Sequence, residues 1–312
     1  MSTATASVSV CIIAATWSPQ LDHLINRGLT SQSLAPAEIV VVVEGDVSKP
    51  TTRNTPTAYP SVWVEVPRGR GFAYNRNRAL DWASQPIVAF VDDDCWPQPD
   101  WLKLLVGALE RTDAAASMGC VEVAPSNRLG RAFAALGYPA GGTLGFEMMY
   151  GVDGNGRTTG LCTLNCAIRR QVLDALGGFD EALTAGGEDT DLSHRLRRQR
   201  AEIVYEPRAI VSHPPRSTMG SITRWFFRKG MAEWQFVRMV DDVRPYLRRR
   251  KARQWMVLRA SLSREDASLV VAMMFYGLAI SAVGRRWEKR RRRTGVSTQP
   301  EVAATEVFPP GE

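Results

Sequence analysis

At 312 residues, 45% of them apolar, the chain is long enough to bury the core of one large domain or two fused halves, which excludes disorder as a description of the whole. Its net charge of +7 is uneven: residues 248–251 and 285–293 hold much of the excess, so an anionic partner is expected at the C-terminal third and not along the whole fold. Cys11, Cys95, Cys120, Cys162 and Cys166 lie mostly in apolar runs without CxxC spacing, which argues against a disulfide framework or zinc site and predicts reduced thiols in a cytoplasmic protein.

The N-terminal "MSTATASVSVCIIAATW" lacks a basic leading region, and its short β-branched run reads as a first strand, "VSVCIIA", rather than a signal peptide. "PQLDHLINRGLTSQSL" follows with Leu21, Leu24, Ile25 and Leu29 at helical spacing, and "AEIVVVVEGD" is a second buried strand. "YPSVWVEV" predicts a third strand, "GFAYNRNRALDWAS" a helix and "PIVAFVD" a fourth strand, together a parallel α/β sheet with a nucleotide-sized crevice at its strand ends. "DWLKLLVGALERT" is an amphipathic helix and "AASMGCVEVAP" a strand; the glycine-rich residues 137–160 show no periodicity and are expected as long lid or binding loops. "CTLNCAIRRQVLDALGGFDEAL" gives strand, helix and turn, "EDTDLSHRLRRQ" a helix and "AEIVYEPRAIVSH" a last strand, before helices take over to about residue 283. The expected organisation is an α/β domain over 1–215 with halves 1–110 and 111–215, a helical region over 216–284, and a basic then disordered tail over 285–312.

Within the helical region, residues 267–283, "ASLVVAMMFYGLAISAV", are uncharged and followed at once by "GRRWEKRRRR". At about the lower length limit for a spanning helix, the segment fits a span, a helix lying in the membrane interface or a packed terminal helix. The basic residues after it favour the cytoplasmic face of an anionic membrane.

"IVAFVDDDCWPQPDWL" carries a buried strand into three consecutive aspartates. Alternation along a strand would turn Asp92 and Asp94 one way and Asp93 the other. Carboxylates ~4 Å apart repel by ~4 kcal/mol at an effective dielectric of about 20, so such a run calls for a counter-charge. Oxygen ligands of this kind suit Mg²⁺ or Mn²⁺ bound together with substrate phosphates; a solvated acidic turn, with Asp100 capping the next helix, is the plainer alternative.

The order of "GRGFAYNRNRAL", "VDDDCWPQPDWL", "GLCTLNCAIRRQVLDALGGFDEAL", "GGEDTDLSHRLRR" and "VYEPRAIVSH" resembles the family 2 glycosyltransferases over roughly residues 8–213. That resemblance implies a GT-A fold, a mixed Rossmann-like sheet flanked by helices with a helical C-terminal extension, and inverting transfer from a nucleoside-diphosphate sugar to a hydroxyl of a glycan or lipid-linked acceptor. Carried over residue by residue, Asp92 and Asp93 would meet the donor, and Asp94 would ligate the metal with Asp92 beside it and His213 completing the set. Asp189 would be the general base, with Glu188 orienting the acceptor hydroxyl. Glu44 and Asp46 stand where relatives place acids for the nucleobase, without the usual paired aspartates, and favour a UDP or dTDP donor. Arg76 and Asn77 match a pair under the donor. Trp17, in "AATW" where relatives tend to have a Thr-Tyr pair, is a base-stacking candidate, and Trp96 and Asn165 are candidates to line the acceptor site.

Two rivals remain. A nucleotidyltransferase acting on a sugar phosphate shares the aspartates and metal but wants a glycine-rich, lysine-bearing loop where this chain has "AATWSPQ". A nucleic-acid-binding protein would use the arginine runs but leaves the acidic clusters unexplained, and nucleic acid is not expected as a partner.

Overall fold

The computed structural model describes residues 7–53, 57–239 and 266–294, together with residues 252, 256, 257 and 259. Its strands are β1 (Val8–Ala14), β2 (Glu38–Gly45), β3 (Thr51–Arg53), β4 (Ser61–Pro67), β5 (Ile87–Asp92), β6 (Trp96–Pro97), β7 (Ala116–Val123), β8 (Arg157–Thr158), β9 (Asn165–Arg169) and β10 (Ile203–His213). They join in one mixed sheet in the order β3-β4-β2-β1-β5-β9-β7-β10-β6, with β8 also on β10. The continuous apolar run of β1 has a direct cause: it lies parallel between β2 and β5, and every residue of the strand is buried. β9 runs antiparallel to both β5 and β7, which makes the sheet mixed.

The helices are α1 (Pro19–His23), α2 (Phe72–Leu80), α3 (Trp101–Thr112), α4 (Arg128–Ala135), α5 (Phe146–Tyr150), α6 (Arg170–Leu176), α7 (Glu188–Arg198), α8 (Met219–Met239) and α9 (Ala267–Thr294). Ser18 starts α1 by accepting the Leu21 N–H at 3.1 Å, with Pro19 at the first helical position; a π-helical turn, Leu24–Gly28, extends it. In α3, Trp101, Leu102, Leu105, Val106, Ala108 and Leu109 form the buried stripe, each large side chain contributing roughly 1.5–3 kcal/mol of burial.

Two stretches differ from expectation. Residues 137–160 are not uniformly loop, since they hold α5, a short 3₁₀ turn at Gly142–Leu144 and β8. α9 continues unbroken through the basic stretch after residue 284 to Thr294; the tail expected beyond it falls outside the described residues.

A second apolar cluster ties α9 and α8 to α4 through Phe133, Leu136, Ile222, Phe226, Val270 and Met273. The two long helices touch closely because an added Cβ at Gly284 would meet the Phe227 carbonyl at 2.2 Å. The opposite face of α9 is exposed at Ala272, Phe275, Ala279 and Val283, and then at Arg286, Lys289, Arg290 and Arg293.

Candidate active site

β1, β2 and β5 run parallel, so their C-terminal ends open at one edge of the sheet, where parallel folds bind ligands. A cavity of about 1720 Å³ lies there, larger than the roughly 300–1,000 Å³ typical of a single small-ligand site and so able to hold two substrates. Trp17, Glu44, Arg76, Asp92, Asp93, Asp94, Glu188, Asp189 and His213 all border it.

Asp92 ends β5, while Asp93 and Asp94 lie in the turn after it, closed by the Cys95 N–H on the Asp92 carbonyl at 3.1 Å. Strand alternation therefore stops at Asp92, and Asp93 faces the same cavity as its neighbours instead of turning away. Burial and then the adjacent aspartates push the Asp93 carboxyl well above the usual range. Burial raises Asp92 as well, against the pull of Arg76.

His213 reaches this acidic turn from the end of β10, its Nε2 3.2 Å from Asp94 Oδ1. Its Nδ1 lies 2.7 Å from the Pro214 carbonyl, which can only accept, so Nδ1 carries the proton. Nε2 then faces a carboxylate oxygen, an arrangement satisfied either by a proton on Nε2 or by a cation that both groups bind. Asp94, Cys95 and His213 present ligand atoms within 4.8 Å of one another. The Cys95 thiol donates to the Leu164 carbonyl at 3.8 Å, and burial holds it protonated, so the donor set that fits a hard cation is carboxylate plus imidazole.

Also on the cavity lining, Gly186 and Gly187, with φ of 116° and 92°, make the turn that starts α7. Glu188 and Asp189 occupy the first helical positions. Desolvation and then the Glu188 charge raise the Asp189 carboxyl to about 6, while one of its oxygens is held by the Thr190 N–H at 2.6 Å. Glu188 is paired with Arg76, whose other amino group lies 3.8 Å from Asp92. Burial works against the Arg76 charge, but Glu188, Asp92 and Asp189 outweigh it and raise its pKa. One guanidinium, set near the rings of Phe72 and Phe179, thus joins the acids at the end of β5 to those at the start of α7. Glu188 Oε2 is buried without a hydrogen-bond partner among the described residues.

Glu44 accepts from Asn75 Nδ2 at 2.9 Å and from the Gly69 N–H at 3.3 Å at the cavity rim. Trp17 is half exposed and stacked on Trp63, with ring centroids 4.8 Å apart.

Four expected site residues lie outside the cavity lining. Asp46 is exposed and paired with Arg68 at 3.0 Å. Asn77 clamps the turn after α6, accepting the Phe179 N–H at 2.8 Å and donating to the Phe179 carbonyl at 2.9 Å. Trp96 stacks on His23 with centroids 4.5 Å apart. Asn165 is fully buried: it accepts from Trp101 Nε1 at 2.7 Å and donates to the carbonyls of Cys120 and Ala209, satisfying β10 where its pairing with β7 slips between Glu206 and Ile210.

Sequence reasoning missed the wall supplied from beyond residue 215. Arg216, Arg224, Arg228 and Lys229 border the cavity, as do the apolar Trp225, Phe226, Met231 and Leu278. Desolvation lowers the pKa of Arg216 and Arg228 while Asp94 and Glu44, respectively, offset it, which places both cations in the field of the acids. The signal was the alternation of aromatic and basic residues in "SITRWFFRK".

The mixed sheet of this order, flanked by helices, has the GT-A fold. A mannosyltransferase from Pyrobaculum calidifontis, solved with GDP-mannose and Mn²⁺, matches with a TM-score of 0.55 over 93% of this chain and 85% of its own, at 19% identity. By sequence, glycosyltransferase AglE of Haloferax volcanii is 27% identical over 76% of this chain and 75% of its own. A glucosyl-dolichyl phosphate glucuronosyltransferase of the same organism is 23% identical over 66% and 69%. Residues 6–236 match the model described as glycosyltransferase like family 2, and the chain belongs to that family. It is a glycosyltransferase.

Proposed function

We propose that this chain is a metal-dependent, inverting glycosyltransferase that moves a sugar from a nucleoside diphosphate, UDP or dTDP, to a hydroxyl of a glycan or lipid-linked acceptor in polysaccharide, cell-wall or glycolipid synthesis. The observation that carries the reading is the single cavity in which Asp189, titrating near 6, stands across from the Asp94–His213 pair. Asp94 and His213, with Asp92 beside them, would hold Mn²⁺ or Mg²⁺, which supplies Lewis-acid stabilisation of the departing diphosphate. Trp17 offers its exposed face to the base, Glu44 its carboxylate at the rim, and Arg216 and Arg228 add positive charge where the diphosphate leaves.

Asp189 accepts the proton of the acceptor hydroxyl as the oxygen attacks the sugar's anomeric carbon. The bond from that carbon to the phosphate oxygen breaks, and the diphosphate departs with the electron pair. Glu188 Oε2, otherwise unpartnered, is placed to receive a second acceptor hydroxyl, while Arg76 holds Glu188 in position. Attack in a single displacement inverts the anomeric carbon.

Of the two acceptor types we favour the lipid-linked one. Trp225, Phe226, Met231 and Leu278 form an apolar wall continuous with the acids, and one relative's name records a dolichyl phosphate substrate. We place the enzyme in the cytoplasm, at the inner face of the membrane. α9 is the one described helix long and apolar enough to cross, but it gives one face to α8 and leaves the other exposed, which suits a helix lying in the interface. Proton NMR of product formed with Mn²⁺ tests the core claim: an anomeric coupling opposite to the donor's is expected, whereas retention, or transfer that persists in excess chelator, would refute it.

A further inference from the structure

Behind the turn that delivers Glu188 and Asp189 lies a buried polar network that belongs to no strand or helix ladder. Gln235 of α8 is 1% exposed and Glu288 of α9 is 0% exposed. Glu288 accepts from Arg291 at both oxygens, at 2.9 and 2.8 Å, from Arg292 Nε at 3.0 Å and from Gln235 Nε2 at 2.8 Å. Desolvation alone would raise the Glu288 carboxyl; Arg291, Gln235 and Arg292 overcome it, and the net shift is downward. A carboxylate so paired stays charged when buried.

The amide of Gln235 then has its orientation set. An ionised carboxylate only accepts, so Gln235 must turn its NH₂ toward Glu288, and its carbonyl is left to face the other way. That carbonyl accepts the Ala185 N–H at 3.1 Å, and the NH₂ also donates to Thr184 Oγ1 at 3.1 Å. Arg292 adds a bond from Nη2 to the Ala182 carbonyl at 3.2 Å. Three points on residues 182–185 are therefore held from the C-terminal helices, directly before two glycines at positive φ. Glycines in that conformation impose little rigidity of their own, so where Asp189 sits depends on what fixes the chain ahead of them.

We propose that Glu288 is a positioning residue for glycosyl transfer: through Gln235 it fixes the turn from which Glu188 and Asp189 enter the cavity. This rests on Asp189 being the base, and it gives the arginine-rich end of α9 an internal task. Arg291 and Arg292 serve Glu288 and Arg285 pairs with Glu233 at 2.8 Å, while Arg286, Lys289, Arg290 and Arg293 remain exposed for other partners.

The test uses the full chain carrying Glu288→Gln, Gln235→Met or Arg292→Ala. Hydrogen exchange of the peptide spanning 182–189 is measured without substrate, and nucleotide release is measured from UDP-glucose, dTDP-rhamnose and GDP-mannose with Mn²⁺ and a polyprenyl phosphate. The first two variants should lose protection in that peptide, and kcat should fall roughly 10- to 100-fold with donor KM within about twofold, the scale of a misplaced reacting group. Arg292→Ala, at the exposed end of the network, should shift both readouts in the same direction by less. Joining Gln235→Glu with Glu288→Gln restores an amide–carboxylate pair and should recover part of both. Unchanged exchange in a folded Glu288→Gln chain would overturn the proposal, as would lost protection with kcat intact. Asp189→Asn separates the underlying reading, because turnover in that variant would remove the base assignment while leaving the exchange result to stand for Glu288.

Discussion

Asp189 is where burial and chemistry meet most directly. With its carboxyl raised to about 6, Asp189 in the proposed role of base predicts that kcat falls as the pH drops through about 6 and levels off above it. Asp189→Asn should lower kcat by roughly 10²–10⁴-fold and leave calorimetric donor affinity unchanged. The same shift has a cost in stability, and its sign is fixed. The folded chain binds the Asp189 proton more tightly than the unfolded chain, whose aspartates titrate at about 3.9, so this group opposes folding progressively as pH rises from about 4 to 6. Asp189→Asn removes that opposition, and its Tm at pH 7 should match or exceed the parent's even as activity is lost; a clear fall in Tm would contradict the account of a desolvated carboxylate. Asn165→Ala should do the reverse. It orphans Trp101 Nε1 and the carbonyls of Cys120 and Ala209, at about 1–3 kcal/mol for each buried group left unsatisfied, so Tm drops while the remaining folded enzyme keeps its KM.

At the scale of elements, α9 performs two tasks on two faces. Its packed face holds the second apolar cluster and the Glu288 network; its exposed face runs from Ala272, Phe275, Ala279 and Val283 into Arg286, Lys289, Arg290 and Arg293. Phe275→Asp with Val283→Asp should reduce sedimentation with phosphatidylglycerol vesicles at low salt without altering the melting curve, because both side chains are exposed. Equal sedimentation of parent and variant would show that this face does not meet lipid. The strands were legible because buried parallel strands are written as continuous apolar runs, and α7 because paired glycines precede its acids. α4 was not: in "RLGRAFAA" the spacing is short and alanine-rich, and Phe133 becomes a core residue only against Trp225 and Phe226. The helical course of residues 285–294 was hidden in a run of arginines, where the lone Glu288 was the overlooked sign of an internal partner.

Across the whole molecule, the acids at the end of β5 and at the start of α7 border one cavity, are joined by Arg76 and share that cavity with residues of α8. Asp92, Asp94, Asp189 and His213, expected together from their residue types and order, do border one cavity, because each lies at or next to the end of an element that opens on it. The engagement of Asn77 and Asn165 was not legible, since nothing local reveals that a polar side chain will bond a distant backbone. The basic wall escaped notice for a similar reason: Arg216 and Arg228 approach the acids only through tertiary packing. The central claim is that the Asp94–His213 pair holds a divalent cation for the donor diphosphate, and isothermal titration of UDP-, dTDP- and GDP-sugars into the parent and Asp94→Ala, with and without Mn²⁺, tests it most directly. The account predicts Mn²⁺-dependent binding of a UDP- or dTDP-sugar to the parent and its loss in Asp94→Ala; donor affinity that is unchanged in Asp94→Ala and still responsive to Mn²⁺ would contradict it.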